Sequence, residues 1–234
     1  YHSLKNQLKQ PVFHIHYFNK SSINNSISEH LNSERKSIPL HLYISKEVSK
    51  LKNKNISLIV LVREPIERKL SSVFQNSIMH KSKFISDDNN YDLQKIEAFL
   101  LNLINSKSFI NHEKNWFDKE IKECFNIDVF EKEYDFNKDY MIYKDIRVKL
   151  LLMRIETMNE VFPIAVQQFL SNNVPMILSN SNIAANKRYA KEYKIIKENF
   201  KIEKNIMDKI VNSRFFQHFY SSFEEKVRNR WTQK

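Results

Sequence analysis

The chain contains no glycine and only one cysteine, Cys124, in 234 residues. Glycine lets a backbone turn left-handed or lie close against a phosphate, and nearly every α/β nucleotide-binding fold uses it there. A glycine-rich phosphate cradle is therefore excluded within these residues, and one is expected upstream of Tyr1. A lone cysteine excludes an intrachain disulfide and any Cys-rich metal site. Cys124 falls in the apolar rhythm Phe117, Ile121, Cys124, Phe125, the setting of a small packed hydrophobe rather than a nucleophile. No apolar run approaches the roughly 20 residues that cross a bilayer. The chain opens on Tyr1 without a signal-like segment, so it reads as a soluble fragment of something longer.

What is present is the composition of a folding chain. Hydrophobic residues make up 41% and aromatics 12%, which excludes a disordered polyelectrolyte. The formal net charge is +11, with pI ≈ 9.5. That surplus favours an anionic partner: a nucleotide, an acidic glycan, a nucleic acid or a membrane surface. The lysines are scattered rather than massed, and a solvated basic surface accounts for such a distribution equally well.

Along the chain, Leu4–Leu8 reads as a helix end broken at Pro11, and Val12–Phe18 as a strand. The Ser/Asn-rich stretch Asn19–Asn32 reads as loop. Ser45–Asn53 reads as a short polar helix leading into Ser57–Val62, a continuous apolar run typical of a central parallel strand. Pro65 then suits the first position of a helix whose apolar face is Ile66, Leu70, Val73, Phe74 and Ile78. Further helices are predicted near Leu93–Ile104 and Trp116–Phe125, the latter ended by a left-handed Asn126. Strands are predicted at Met141–Tyr143 and Val148–Met153, and a helix at Val161–Leu170. The stretch Asn186–Trp231 reads as helices and turns, with Ser222 and Glu225 as a capping box. Strands alternating with helices predict one α/β domain over residues 1–234, with a mostly parallel sheet and a helical C-terminal part.

The segment Ser57–Asn76 carries the chemistry. Ligands of open α/β folds bind beyond the carboxyl ends of strands. There Arg63 offers a planar fork of donors, and the helix that follows offers free N–H groups and its positive end. Ser71, two turns in, lies off the apolar stripe and adds a hydroxyl. The alternative is that Arg63 pairs with Glu64 or Glu67 and Ser71 is a surface serine.

The run Val62-Arg63-Glu64-Pro65-Ile66-Glu67-Arg68-Lys69-Leu70-Ser71-Ser72 resembles the 3′-phosphate-binding motif of sulfotransferases that use 3′-phosphoadenosine 5′-phosphosulfate (PAPS). Other stretches resemble one branch of these enzymes, the capsular polysaccharide synthesis family named for an Asn-Lys-Trp-Tyr-Ser signature. Asn186-Lys187-Arg188-Tyr189-Ala190 is similar to that signature, with Arg for Trp and Ala for Ser. Trp116–Ile121 with Ile127–Phe130 is similar to the family's middle block, and Gln217–Ser221 with Trp231 to its end.

The resemblance implies a P-loop-type three-layer fold and a PAPS-dependent carbohydrate sulfotransferase in a bacterial cytoplasm, peripheral to the membrane or free of it. Arg63 and Ser71 become ligands of the 3′-phosphate of PAPS and of its product PAP; Lys187 and Arg188, in the signature region, are candidates for contact with the donor or an acidic acceptor, the alternative being a solvated helix end. The phosphosulfate loop falls in the expected upstream segment. The acceptor is a polysaccharide or glycolipid hydroxyl, and no metal and no nucleic acid is required.

His14 and His16 lie two apart in the predicted strand and so face one side at its carboxyl end. Sulfuryl transfer needs a base for the acceptor's proton, and an imidazole near neutral pKa suits it. His16, nearer the strand end, is the first choice and His14 the second, with Glu156 as a further alternative. A packed histidine pair is the structural alternative; a His-x-His metal site lacks a neighbouring third ligand. Two other functions compete. A P-loop kinase or hydrolase needs a Mg²⁺-binding aspartate after an apolar strand, which the sequence lacks. A non-catalytic basic module predicts salt-sensitive binding indifferent to PAP.

Overall fold

The computed structural model describes residues 2–9, 11–32, 37–51, 55–76, 84–85, 90–171, 176–178 and 187–233. Of these, 61% are helical. In chain order the principal elements are α1 (His2–Gln7), α2 (Lys20–Leu31), α3 (Leu40–Val48), β1 (Ile56–Val62), α4 (Pro65–Asn76), α5 (Leu93–Ile104), α6 (Lys107–Trp116), β2 (Tyr140–Lys144), β3 (Val148–Arg154), α7 (Met158–Leu170), α8 (Ala190–Asn199), α9 (Lys204–Val211), α10 (Arg214–Tyr220) and α11 (Glu224–Trp231).

The expected P-loop-type three-layer fold with a mostly parallel central sheet is not what forms. Among the described residues the sheet has three strands in the order β1-β3-β2. β1 pairs parallel with β3, Ile56 opposite Val148 through Val62 opposite Arg154. β2 pairs antiparallel with β3, Tyr140 opposite Met153. The reason is visible in the apolar pattern: only two long runs, at 56–62 and 148–154, have strand character, and most other apolar residues recur at helical spacing. β3, not β1, is the central strand: Leu150, Leu151, Leu152 and Met153 are fully buried, whereas Leu61 of β1 is exposed.

The chain divides into two compact units. The first comprises residues 1–62 and 115–179 and contains the sheet. Its core sets Leu4 of α1, Tyr140 of β2 and Leu151 and Met153 of β3 against Phe162, Ala165, Val166 and Phe169 of α7. The second comprises residues 63–114 and 180–234 and is helical in its described parts. Its buried side chains include Ile66, Leu70 and Phe74 of α4, Ile96 and Leu100 of α5, Ile196 of α8, Phe216 and Phe219 of α10, and Trp231.

Several local expectations are corrected. Val12–Phe18 has no ladder partner and is irregular rather than a strand. Asn19–Asn32 is not loop: Asn19 caps α2 by accepting from the Ser21 N–H at 2.9 Å, which offsets the weak helix propensity of the serines and asparagines after it. The helix expected at Ser45–Asn53 begins earlier, at Leu40. The capping box at Ser222 does not form; Ser221–Phe223 is a 3₁₀ turn and α11 starts at Glu224. With no glycine available, the left-handed positions fall to Asn126, Asp139 and Ser171 among the described residues.

Candidate functional site

Arg63 and α4 belong to the second unit, and the site there is built on Glu67. Glu67 sits one turn after Arg63, whose guanidinium reaches its carboxylate at 3.1 Å. From α8, Lys197 reaches the same carboxylate at 3.1 Å, and from α11 Arg230 reaches it at 2.6 Å. Three cations thus converge on one carboxylate. Burial works against ionisation of Glu67, but Lys197, Arg230 and Arg63 outweigh it and hold the carboxyl below its ordinary value. For Arg63, burial likewise opposes the charge, and Tyr193 and Glu67 more than offset it. The Arg63 guanidinium also donates to the Tyr193 hydroxyl at 3.4 Å.

Two amphipathic faces position these groups. On α4, Glu67 and Ser71 lie one turn apart on one side. On α8, Tyr193 and Lys197 are spaced the same way, and Tyr189 lies one turn before. The Phe74 ring fixes the contact between the two helices, 5.4 Å from Tyr189 and 5.3 Å from Tyr193. Each such aromatic pair contributes about 1 kcal/mol beyond the area it buries. Arg230 lies over the fully buried Trp231 at 4.6 Å, which directs its guanidinium.

The start of α4 differs from the expected arrangement. Its N–H groups are already used: Glu64, buried, accepts from Ile66 N at 2.9 Å and from Glu67 N at 2.9 Å. An anion does occupy the positive helix end, as the dipole favours, but it is the protein's own carboxylate. Arg63 does pair with Glu67, and Ser71 is half-buried. Lys187 and Arg188 are exposed in the turn before α8, and Ala190 N bonds to Lys187 O at 3.0 Å. The second unit thus brings Arg63, Glu67 and Phe74 against the helix that the signature residues open. Asn186 lies outside the described residues. The roles of Glu67, Lys197 and Arg230 had only one local sequence signal, the four-residue spacing of Arg63 and Glu67.

His14 and His16 are in the first unit, on irregular chain. They do come together: their ring centroids are 4.7 Å apart, and His41 of α3 lies 4.9 Å from His16. Both His14 and His16 are exposed. Lost hydration, then His14 and His41, bring the His16 pKa down to about 4. His41 is lowered too, by burial first and then by His30 and His14. At neutral pH His16 is therefore an unprotonated imidazole whose basic nitrogen keeps its lone pair, but a weaker base than an ordinary histidine. Among the described residues no group of three or more His, Cys, Asp or Glu is arranged to hold a metal ion.

Glu156, the further alternative base, is exposed in the 3₁₀ turn Ile155–Thr157 that follows β3. Arg154, fully buried at the end of β3, pairs with Asp139 and lies 5.7 Å from the Tyr134 and Phe136 rings. Burial, with Glu120 and Glu123, raises the Cys124 thiol to about 11, which excludes thiolate chemistry at neutral pH. No helix among the described residues is long and apolar enough to cross a membrane.

Residues 88–221 match the protein-family model NKWYS, described as "Putative capsular polysaccharide synthesis protein". The match covers more than half of the chain. It includes α5, α6, the sheet strands β2 and β3, and α8 with Tyr193 and Lys197, and it stops short of His14, His16, Arg63, Ser71 and Arg230. Neither a curated protein nor a solved structure matches the chain.

Proposed function

Since the chain belongs to the capsular polysaccharide synthesis family that its residues 88–221 match, we propose that it is a transferase of capsule assembly that uses PAPS. In this reading it moves a sulfuryl group onto a hydroxyl of a polysaccharide or glycolipid. The bond from sulfur to the 5′-phosphate oxygen breaks as the bond to the acceptor oxygen forms, the acceptor's proton passes to a base, and PAP leaves. The observation that carries the proposal is the convergence of Arg63, Lys197 and Arg230 on Glu67, with Ser71 one turn further along α4. Guanidinium forks and an ammonium suit the oxygens of a nucleotide 3′-phosphate. Fixed cations at such a site stabilise charge without reorganising during the reaction.

Lys187 and Arg188, exposed at the entrance of α8, extend the basic surface that an anionic donor would meet. His16, with His14 second, is the proposed base; its neutral state at pH 7 leaves it able to accept a proton. Calorimetric titration of the full-length chain with PAP tests the donor reading. PAP is expected to bind, and Arg63→Ala to weaken it at least about tenfold. Absence of PAP binding, or binding that Arg63→Ala leaves unchanged, overturns it. A salt-sensitive affinity for acidic glycan with no response to PAP would instead identify a non-catalytic module.

A further inference from the structure

The segment that carries His14 and His16 has no secondary structure of its own, yet its end is held at four points by one stretch of helix. After α6 the chain continues as a π-helical stretch, Phe117–Lys122, and a short turn, Glu123–Phe125. Trp116 donates its indole N–H to His16 O at 3.1 Å. Glu120 accepts from Phe18 N at 2.6 Å and from Asn19 N at 2.7 Å, both on the same oxygen. Glu123 accepts from the Asn19 amide at 3.1 Å. The Phe18 ring packs edge-on against Phe125 at 4.9 Å.

Glu120 is the strongest of these anchors. It is 1% exposed, so its carboxylate has exchanged water for two backbone N–H groups. Bonds from N–H groups to a buried carboxylate are about twice as strong as neutral ones. One turn of π-helix widens the helix locally, and such bulges are frequent at functional sites. Here the widened turn contains Glu120. The same two N–H groups lie at the entrance to α2, so the carboxylate also fixes where that helix begins.

We infer that Glu120 is a positioning residue for His16: by fixing the backbone at Phe18 and Asn19 it sets the imidazole against His14 and His41. The consequence for catalysis rests on His16 being the base; the placement itself does not. A family-matched block, Trp116–Phe125, thereby controls a residue that lies outside the match. Sequence separation is about a hundred residues, and no local pattern in 11–19 announces the dependence.

The test is NMR on the full-length chain, following ring-to-ring Overhauser contacts from His16 to His14 and His41 and the titration of each imidazole. Glu120→Ala is expected to abolish the contacts and move the His16 midpoint up by about one pH unit or more, toward an ordinary histidine. Glu120→Gln, whose single amide oxygen can accept both N–H bonds, is expected to restore both readouts. Trp116→Phe, which removes only the bond to His16 O, is expected to give a smaller upward shift, and it carries the test should Glu120→Ala fail to fold. A folded Glu120→Ala or Trp116→Phe chain with His16 contacts and titration unchanged overturns the inference, as does Glu120→Gln behaving like Glu120→Ala. PAP titration of the same variants separates the two ideas: Glu120→Ala is expected to bind PAP as the parent does. Absence of PAP binding in the parent chain sinks the sulfuryl-transfer reading while leaving the His16 result standing.

Discussion

The Glu67 cluster of the second unit and the histidine trio of the first face the same electrostatic problem, the crowding of groups that repel when charged. They resolve it in opposite ways. Around Glu67 the three cations stay charged because one buried carboxylate sits among them. Around His16 the rings of His14 and His41 meet it edge to face, and His16 itself stays neutral instead. The first solution keeps a strong fixed field for an anionic ligand. The second keeps a lone pair available. Each is what its proposed role requires, donor binding in one case and proton acceptance in the other.

Breaking the counter-ion should have the largest effect. Glu67→Ala leaves Arg63, Lys197 and Arg230 facing one another, and it is expected to cost about 3 kcal/mol in denaturant unfolding. Removing a cation instead should spare the fold and weaken the ligand: Arg63→Ala is expected to lose about 1.4 kcal/mol of PAP binding, and Lys197→Ala less.

Acid should separate the two regions along the pH axis. The folded His16 pKa lies below its unfolded value of 6.5, so the unfolded chain takes up the proton first as pH falls. The trio's contribution is therefore present above about pH 6.5 and lost as the pH drops toward about 4. Because His16 keeps exposed surface, roughly 1 kcal/mol is expected in that window after screening, and His16→Asn should flatten it. Glu67, also lowered, contributes above its unfolded value of 4.5 and loses that contribution only below it. Unfolding curves of the parent and His16→Asn at pH 7, 5.5 and 4.5 check the order. The smallest effect is that of salt: raising it to about 0.5 M should take roughly a few tenths of a kcal/mol from the charged cluster and nothing measurable from the ring contacts of His16.

Much of the local architecture was legible. β1, α4 from Pro65, α5, β2, β3 and α7 follow from apolar spacing, and Asn126 adopts the left-handed conformation its position after Phe125 suggested. What periodicity could not convey was partnership. Val12–Phe18 alternates like a strand but has no neighbour to complete a ladder, so it stays irregular. β1 is as apolar as a central strand, yet it lies at the edge because β3 takes the middle. The three-layer expectation failed for the same reason: a large parallel sheet needs several strand-like runs, and only two long ones exist.

Of the candidate site, the pairing of Arg63 with Glu67 was legible from their four-residue spacing. The cations that complete it, Lys197 and Arg230, come from helices far along the chain and carry no mark in sequence. His41 was missed because it sits 25 residues beyond His16, on a helix whose start was misplaced. Glu64 hid in plain view: a glutamate just before a helix-starting proline can turn back and cap the helix itself.

The left-handed residues bear on the unfolded chain as much as on the folded one. Glycine widens the range of conformations an unfolded backbone explores, so a chain with none enters folding with less freedom to lose. The charge for that economy falls at Asn126, Asp139 and Ser171, where a side chain must tolerate a conformation that disfavours it by about 1–2 kcal/mol. Asn and Asp accept it most readily, and Asp139 is further committed to Arg154. Among the described residues, Ser171 at the end of α7 is thus the left-handed position where a first glycine is expected to relieve the most strain.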